Sequence, residues 1–234
     1  MSRFFCNLFC SSLGKKYIMA VTGCLMTLFV VGHMVGNLQV FLGAEAINRY
    51  GHLLQSNVEL LWPVRCALIV ILFTHICTAT MLTLENRAAR PIAYQKWEPT
   101  AANYAARTMM VSGIIVALFI VYHILHYTVM VQSVNFTGQN FAQKPDFFDS
   151  EQRHDIYHML IVGFGNPWVC LIYLLGVGLL CLHLSHGMCA LLQSLGWKKR
   201  PYGPCLDLLA KVGAVVIFLG YASIPTSIFL KLIK

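Results

Sequence analysis

Five long runs of this chain carry no charged side chain: Tyr17–Leu42, Cys66–Leu84, Thr108–Val134, Pro167–Leu195 and Val212–Leu230. Each is a near-continuous series of apolar residues without the polar stripe that marks a helix lying on a soluble core. A bilayer core about 30 Å thick needs about 20 apolar residues at 1.5 Å of rise each, and every run approaches or exceeds that length. The pattern predicts an all-α membrane protein, one domain over 1–234, with transmembrane helices over about 17–42, 62–84, 108–133, 167–195 and 212–230. The fourth uncharged stretch begins at Ile156, but Gly163-Phe-Gly-Asn-Pro167 breaks a helix before it and suits the first turn of one after it, so the span is expected to start at Pro167.

Composition strengthens this picture. Apolar residues make up 58% of the 234, charged residues 11%, and the mean hydropathy is +0.66, far from the range of a soluble domain. The first run is longer than the apolar part of a signal peptide and contains His33, so it reads as a retained helix.

The basic residues orient the bundle. With the amino terminus in the cytoplasm, eleven of them fall inside: Arg3, Lys15, Lys16, Arg87, Arg90, Lys96, Arg107, Lys198, Lys199, Arg200 and Lys211. Six fall outside, and the outer loop Gln132–Asn166 has four acids against two bases. The positive-inside rule then puts the amino terminus in and the carboxyl terminus out, as expected for a multi-pass protein of a bacterial inner membrane. The net charge of +8 is explained by this topology and by anionic lipid headgroups, leaving no role for nucleic acid.

Several chemistries find no support. The nine cysteines form no C-x-x-C and no C-x-x-C-H, so they read as reduced thiols behaving as small hydrophobes. No phosphate-binding glycine loop, no G-x-S-x-G and no internal repeat stands out. In the outer loop, Arg153-His-Asp-Ile-Tyr-His158 places two histidines one helical turn apart, where a solvated amphipathic turn is expected rather than a metal site.

The candidate chemistry lies in the spans themselves. His33, His75, His123, His126, His183 and His186 sit in the apolar runs, at least one in each of the first four helices and none in the fifth. An ionisable ring in the membrane is costly and normally faces the bundle interior. Neutral imidazole is a favoured axial ligand of haem iron, and imidazoles from facing helices can clamp a haem inside a four-helix bundle. Depth pairs them. His33 is 17 residues from Lys16 and His123 is 16 from Arg107, about 25 Å of rise from the cytoplasmic end. His75 is 11 residues from Asn86 and His183 is 12 from Leu195, about 17 Å. The glycines near these histidines, Gly32, Gly36, Gly176, Gly178 and Gly187, would let a macrocycle approach the backbone or simply let helices touch.

The stretches GHMVGN around His33, GAEAINRYGH at Gly43–His52, THICTA around His75, YHILHY around His123 and LHLSHG around His183 resemble the dihaem cytochrome b membrane anchor of succinate dehydrogenases and quinol:fumarate reductases. The resemblance covers nearly the whole chain. It implies two b haems, held by His33 with His123 and by His75 with His183, the pairing that depth also gives. His126 and His186 are left as neighbours of the ligands, contacts of the haem propionates, or quinone contacts. A separate flavoprotein subunit would then carry the dicarboxylate chemistry, and an iron–sulfur subunit would pass electrons to this chain and the quinone, with menaquinone the expected one. For the quinone the resemblance and the loop position suggest Glu59 and His52. For the propionates Lys15, Lys16 and Arg107 on the inner side and Arg65 on the outer have the right charge. Two rivals stay open: the cytochrome b subunit of another membrane oxidoreductase, of hydrogenase or formate dehydrogenase type, and a histidine-lined metal or proton transporter without haem.

Overall fold

The computed structural model describes residues 9–89, 108–199 and 201–233; Arg3, Cys6, Arg90, Lys96, Arg107, Arg200 and Lys234 lie outside them. The described residues form seven α-helices in chain order: α1 (Ser12–Asn37, continued by a 3-10 turn Leu38–Leu42), α2 (Ala44–Ser56), α3 (Val58–Ala88), α4 (Met109–Tyr127), α5 (Ile156–Gly165), α6 (Pro167–Ser194) and α7 (Gly203–Phe229). Five of them, α1, α3, α4, α6 and α7, are long and apolar enough to cross a membrane. Large apolar side chains such as Leu28, Phe73, Leu118, Leu175 and Leu219 stand exposed along them, which suits a lipid surround.

The helix ends depart from the charge-free runs for local reasons. α3 extends at both ends because Glu59 lies in its first turn and Arg87 in its last, where each charge complements the helix dipole. α7 begins at Gly203 rather than near Val212, and Asp207 in its early turns is paired with Lys198 at 2.7 Å. α4 closes at Tyr127, several residues before the apolar run ends, where Met130 at φ 59° turns the chain away. The break between α5 and α6 falls at Asn166, as the Gly-Asn-Pro sequence predicts, and the Asn166 side chain accepts from the Trp168 backbone N–H at 2.9 Å.

Packing divides the described chain into two compact units, and each long helix contributes to both. The first unit draws on Met1–Phe29, Arg65–Ile114 and Leu182–Ala214. Here Lys15, only 4% exposed, is held by an ion pair to Glu85. The end of α6 is closed by Gly196 at φ 73°, with Trp197 N–H on the Leu192 carbonyl and Gly196 N–H on the Gln193 carbonyl, a glycine-dependent helix stop.

The second unit draws on Val30–Val64, Ile115–Cys181 and Val215–Lys234. Its core gathers Val40, Ile47, Leu160, Phe164, Val169, Tyr173, Ile224 and Ile228. The loop between α4 and α5 folds back as a cap, burying Phe141 and Phe147 against Met159, with Tyr127 and Met130 alongside. Buried Asn48 of α2 fastens this cap: its amide donates to Asp155 at 3.0 Å and its carbonyl accepts the Tyr157 N–H at 3.0 Å. Asp155 also caps α5 through the His158 N–H. On the surface, Arg153 grips Glu45 at 2.6 Å and Asp149 at 2.7 Å.

Candidate functional site

The first unit contains His75 on α3 and His183 on α6. Each ring meets the same kind of partner. Thr22 Oγ1 on α1 is 3.0 Å from Nδ1 of His75, and Ser112 Oγ on α4 is 3.1 Å from Nδ1 of His183. Hydroxyls inside a helix turn their own proton back to a carbonyl of the preceding turn, and both do so here: Thr22 to Ile18 at 2.8 Å, Ser112 to Met109 at 3.0 Å. The hydroxyl oxygen is then an acceptor, so the imidazole must donate. The Met19 carbonyl beside His75 asks for the same proton. With Nδ1 protonated, Nε2 of each ring carries the free lone pair, which is the tautomer a metal needs.

Glycines complete these two contacts. A Cβ on Gly23 would stand 3.4 Å from Cε1 of His75, and one on Gly113 would stand 3.4 Å from Cε1 of His183. The matching geometry exposes a pattern that inspection of the sequence missed. Val21-Thr-Gly-x4-Leu-Phe-Val-Val-x-His33 and Val111-Ser-Gly-x4-Leu-Phe-Ile-Val-x-His123 are the same motif, 90 residues apart. The expectation of no internal repeat is therefore corrected for this segment. Only the paired hydroxyls and glycines, meeting histidines of other helices, bring it into view.

In the second unit, the His33 ring of α1 and the His123 ring of α4 face each other with centroids 5.7 Å apart and planes at 76°. This is an edge-to-face contact at ordinary ring-packing distance. Nε2 of His33 lies 3.3 Å from the side-chain amide nitrogen of Asn37 on the same helix. His123 is tied to α6: the Tyr173 hydroxyl is 3.2 Å from its Nδ1, and also 3.2 Å from Nδ1 of His126. His126 is fully buried and stacks on Tyr127 at 3.9 Å. Among the described residues its Nε2 has no hydrogen-bond partner, nor do the buried hydroxyls of Tyr122 and Tyr127.

The structure brings the His33 and His123 rings together and places His75 and His183 in one unit, and it separates members of each doublet: the hydroxyl partner falls on His183 rather than His186, and the ring beside His33 is that of His123 rather than His126. Thr22, Ser112 and Tyr173 were not legible as site residues. Of the glycines singled out beforehand, Gly36 packs on Tyr50 and Gly176 on Phe119, which is helix contact, whereas Gly32 and Gly187 face open space.

The remaining candidates are more dispersed. His52 lines a hollow of about 530 Å³ in the second unit together with Gln39, Ala46, Arg49, Tyr50, Leu53 and Ser56. Glu59 is exposed in the first turn of α3 and does not line it. Lys15 is engaged by Glu85, Lys16 is exposed, Arg65 is half-buried on α3, and Arg107 lies outside the described residues. His154 Nε2 is 3.0 Å from the Phe141 carbonyl and His158 is exposed. Among the described residues no cluster of three or more His, Cys, Asp or Glu could hold a metal. Cys24, Cys66, Cys77, Cys170, Cys181, Cys189 and Cys205 are free thiols.

Two facing imidazoles with a lone pair to offer can bind a metal from opposite sides, and this geometry occurs in pairs of helices rather than in one local cluster. No family model, no curated protein and no solved structure matches this chain. What the fold defines is an all-helical protein with five helices long and apolar enough to cross a membrane, four of which carry histidines.

Proposed function

We propose that the chain is the dihaem cytochrome b membrane anchor of a succinate:quinone or quinol:fumarate oxidoreductase. It sits in a bacterial inner membrane with its amino terminus in the cytoplasm, and its soluble partners are a flavoprotein and an iron–sulfur subunit. The observation that carries this is the distribution of the histidines: one pair in each compact unit, each pair drawn from two different long helices. The supporting geometry is the hydroxyl contact to Nδ1 of His75 and of His183 and the ring contact of His33 with His123.

His33 with His123 and His75 with His183 would hold the two haems, which supply one-electron transfer when bound. The chain's own part is to keep Nε2 unprotonated, to fix ring orientation through Thr22, Ser112 and Tyr173, and to exclude water with a lipid-facing apolar shell. The hollow beside His52 and Arg49 has the volume of a small-ligand site and belongs to the same unit as His33 and His123. It is the proposed place for the quinone headgroup, where His52 can exchange a proton with the ligand and Arg49 can hold its oxygen.

The test is purification of the native assembly. Copurification with a flavoprotein and an iron–sulfur subunit, and quinone reduction driven by succinate, is the expected result. Copurification with hydrogenase or formate dehydrogenase subunits would reassign the chain to another cytochrome b class, and a colourless protein would leave the transporter reading.

A further inference from the structure

The repeated motif has a use that no single histidine reveals. On α1, Thr22-Gly23 contacts His75 while His33 lies eleven residues further along; on α4, Ser112-Gly113 contacts His183 while His123 lies eleven residues further along. Each copy of the motif therefore carries one histidine of the second unit's pair and one hydroxyl serving the first unit's pair.

We infer that Thr22 and Ser112 are matched positioning residues for the His75/His183 pair, each accepting the Nδ1 proton of one ring and so holding its Nε2 lone pair free. This rests on the proposed function. The two contacts agree within 0.1 Å in hydrogen-bond length, and the facing glycines leave the same 3.4 Å clearance to Cε1. Ordinary back-bonding does not account for the match. Thr27, Thr78 and Thr83 also return their protons to carbonyls of the preceding turn, at 2.7–2.8 Å, and none of these contacts reaches an imidazole. At both positions the glycine lies directly against the ring, where an added Cβ would stand at van der Waals distance from Cε1.

An acceptor on Nδ1–H raises the basicity of a metal-bound imidazole and fixes its rotation; loss of such partners typically weakens metal binding by about 10- to 100-fold. A more basic ligand favours the oxidised metal, so removing the acceptor raises the midpoint potential of the group it serves. Because both hydroxyls act on one pair, the two single variants must affect the same haem.

The experiment is redox potentiometry of the intact complex carrying Thr22→Val or Ser112→Ala, with Thr22→Ser as the conservative variant and Thr27→Val as a control on the same helix. Expected are a rise in potential, or a loss of occupancy, of one and the same haem in Thr22→Val and Ser112→Ala, with the other haem unmoved. Thr22→Ser restores the original potential and Thr27→Val keeps it. If both haems keep their potentials in Thr22→Val and Ser112→Ala, or if the two variants act on different haems, the inference is overturned while the proposed function stands. A wild-type complex with no haem would overturn both.

Discussion

The Tyr173 hydroxyl lies 3.2 Å from Nδ1 of His123, on a side chain only 6% exposed, and it is shared with Nδ1 of His126 at the same distance. A hydroxyl between two imidazole nitrogens donates to one and accepts from the other. On the proposed role of His123 as a ligand, His123 donates and His126 receives the tyrosine proton. Tyr173→Phe removes both bonds at once and leaves two buried nitrogens unsatisfied, at a cost of about 1–3 kcal/mol for each group. The expected outcome is a lower thermal midpoint and a shifted potential for the haem of the His33/His123 pair alone. A variant with both haems unaltered and full stability would show that the hydroxyl is incidental.

Replacing His33, His75, His123 or His183 by alanine should each remove or disrupt one haem, whereas His126 and His186 variants should retain two. Haem per chain, measured on the assembled complex, distinguishes these cases. Loss of a haem in His186→Ala with retention in His183→Ala would reverse the assignment on α6, against the contact between Ser112 and His183.

The clasp between α2 and the α4–α5 loop should respond to acid. The hydrogen bond from Arg153 holds the Glu45 carboxyl below its ordinary pKa, and at Asp149 the Arg153 bonds outweigh the opposing effect of burial. Groups depressed in the folded state stabilise it above their unfolded pKa and lose that contribution as pH falls through the folded value. The loop should therefore be fully fastened at neutral pH and loosen once the pH drops through and below the ordinary carboxylate range. Hydrogen exchange of residues 146–158 at stepped pH is the check; Glu45→Gln should already show faster exchange at neutral pH.

Asn48 closes the same clasp from within, at 2% exposure. Asn48→Ala removes its hydrogen bonds to Asp155 and Tyr157 from a buried position, and should cost about 1–3 kcal/mol. Proteolysis of the outer loop, slow in the wild type and faster in the variant, reads this out. Unchanged cleavage would mean that the apolar contacts of Phe141 and Phe147 suffice alone.

The hollow beside His52 gives a prediction about the quinone. His52→Ala should lower quinone turnover roughly tenfold or more with haem content unchanged, as loss of a proton-exchanging group does. Leu53→Trp, filling the hollow, should raise the KM for quinone. Glu59→Gln should affect turnover less than His52→Ala, because Glu59 is not among the lining residues. The reverse order would move the quinone to the start of α3.

The spans were legible because membrane burial leaves a coarse mark: a charge among about 20 apolar residues is costly, so its absence marks the helix. Their ends were less so, since residues such as Glu59, Arg87 and Asp207 remain helical after the chain has acquired charge. The short helix α2 was hidden in a motif of mixed polarity, Ala44–Ser56, whose role depends on Asn48 meeting a loop about 107 residues away. The histidines could be paired by depth, but their partners could not. Serine and threonine are common in apolar helices, and what separates Thr22 from Thr27 is which helix lies opposite, a tertiary fact.

On the proposed function, the imidazoles of His33, His75, His123 and His183 stand in an apolar bundle because each gives a lone pair to iron. The most direct measurement is the haem content of the wild-type native assembly, by reduced-minus-oxidised spectra and pyridine haemochrome. The account predicts two b-type haems per chain, with alpha and Soret bands that resolve into two potentials. An assembly without porphyrin would contradict it.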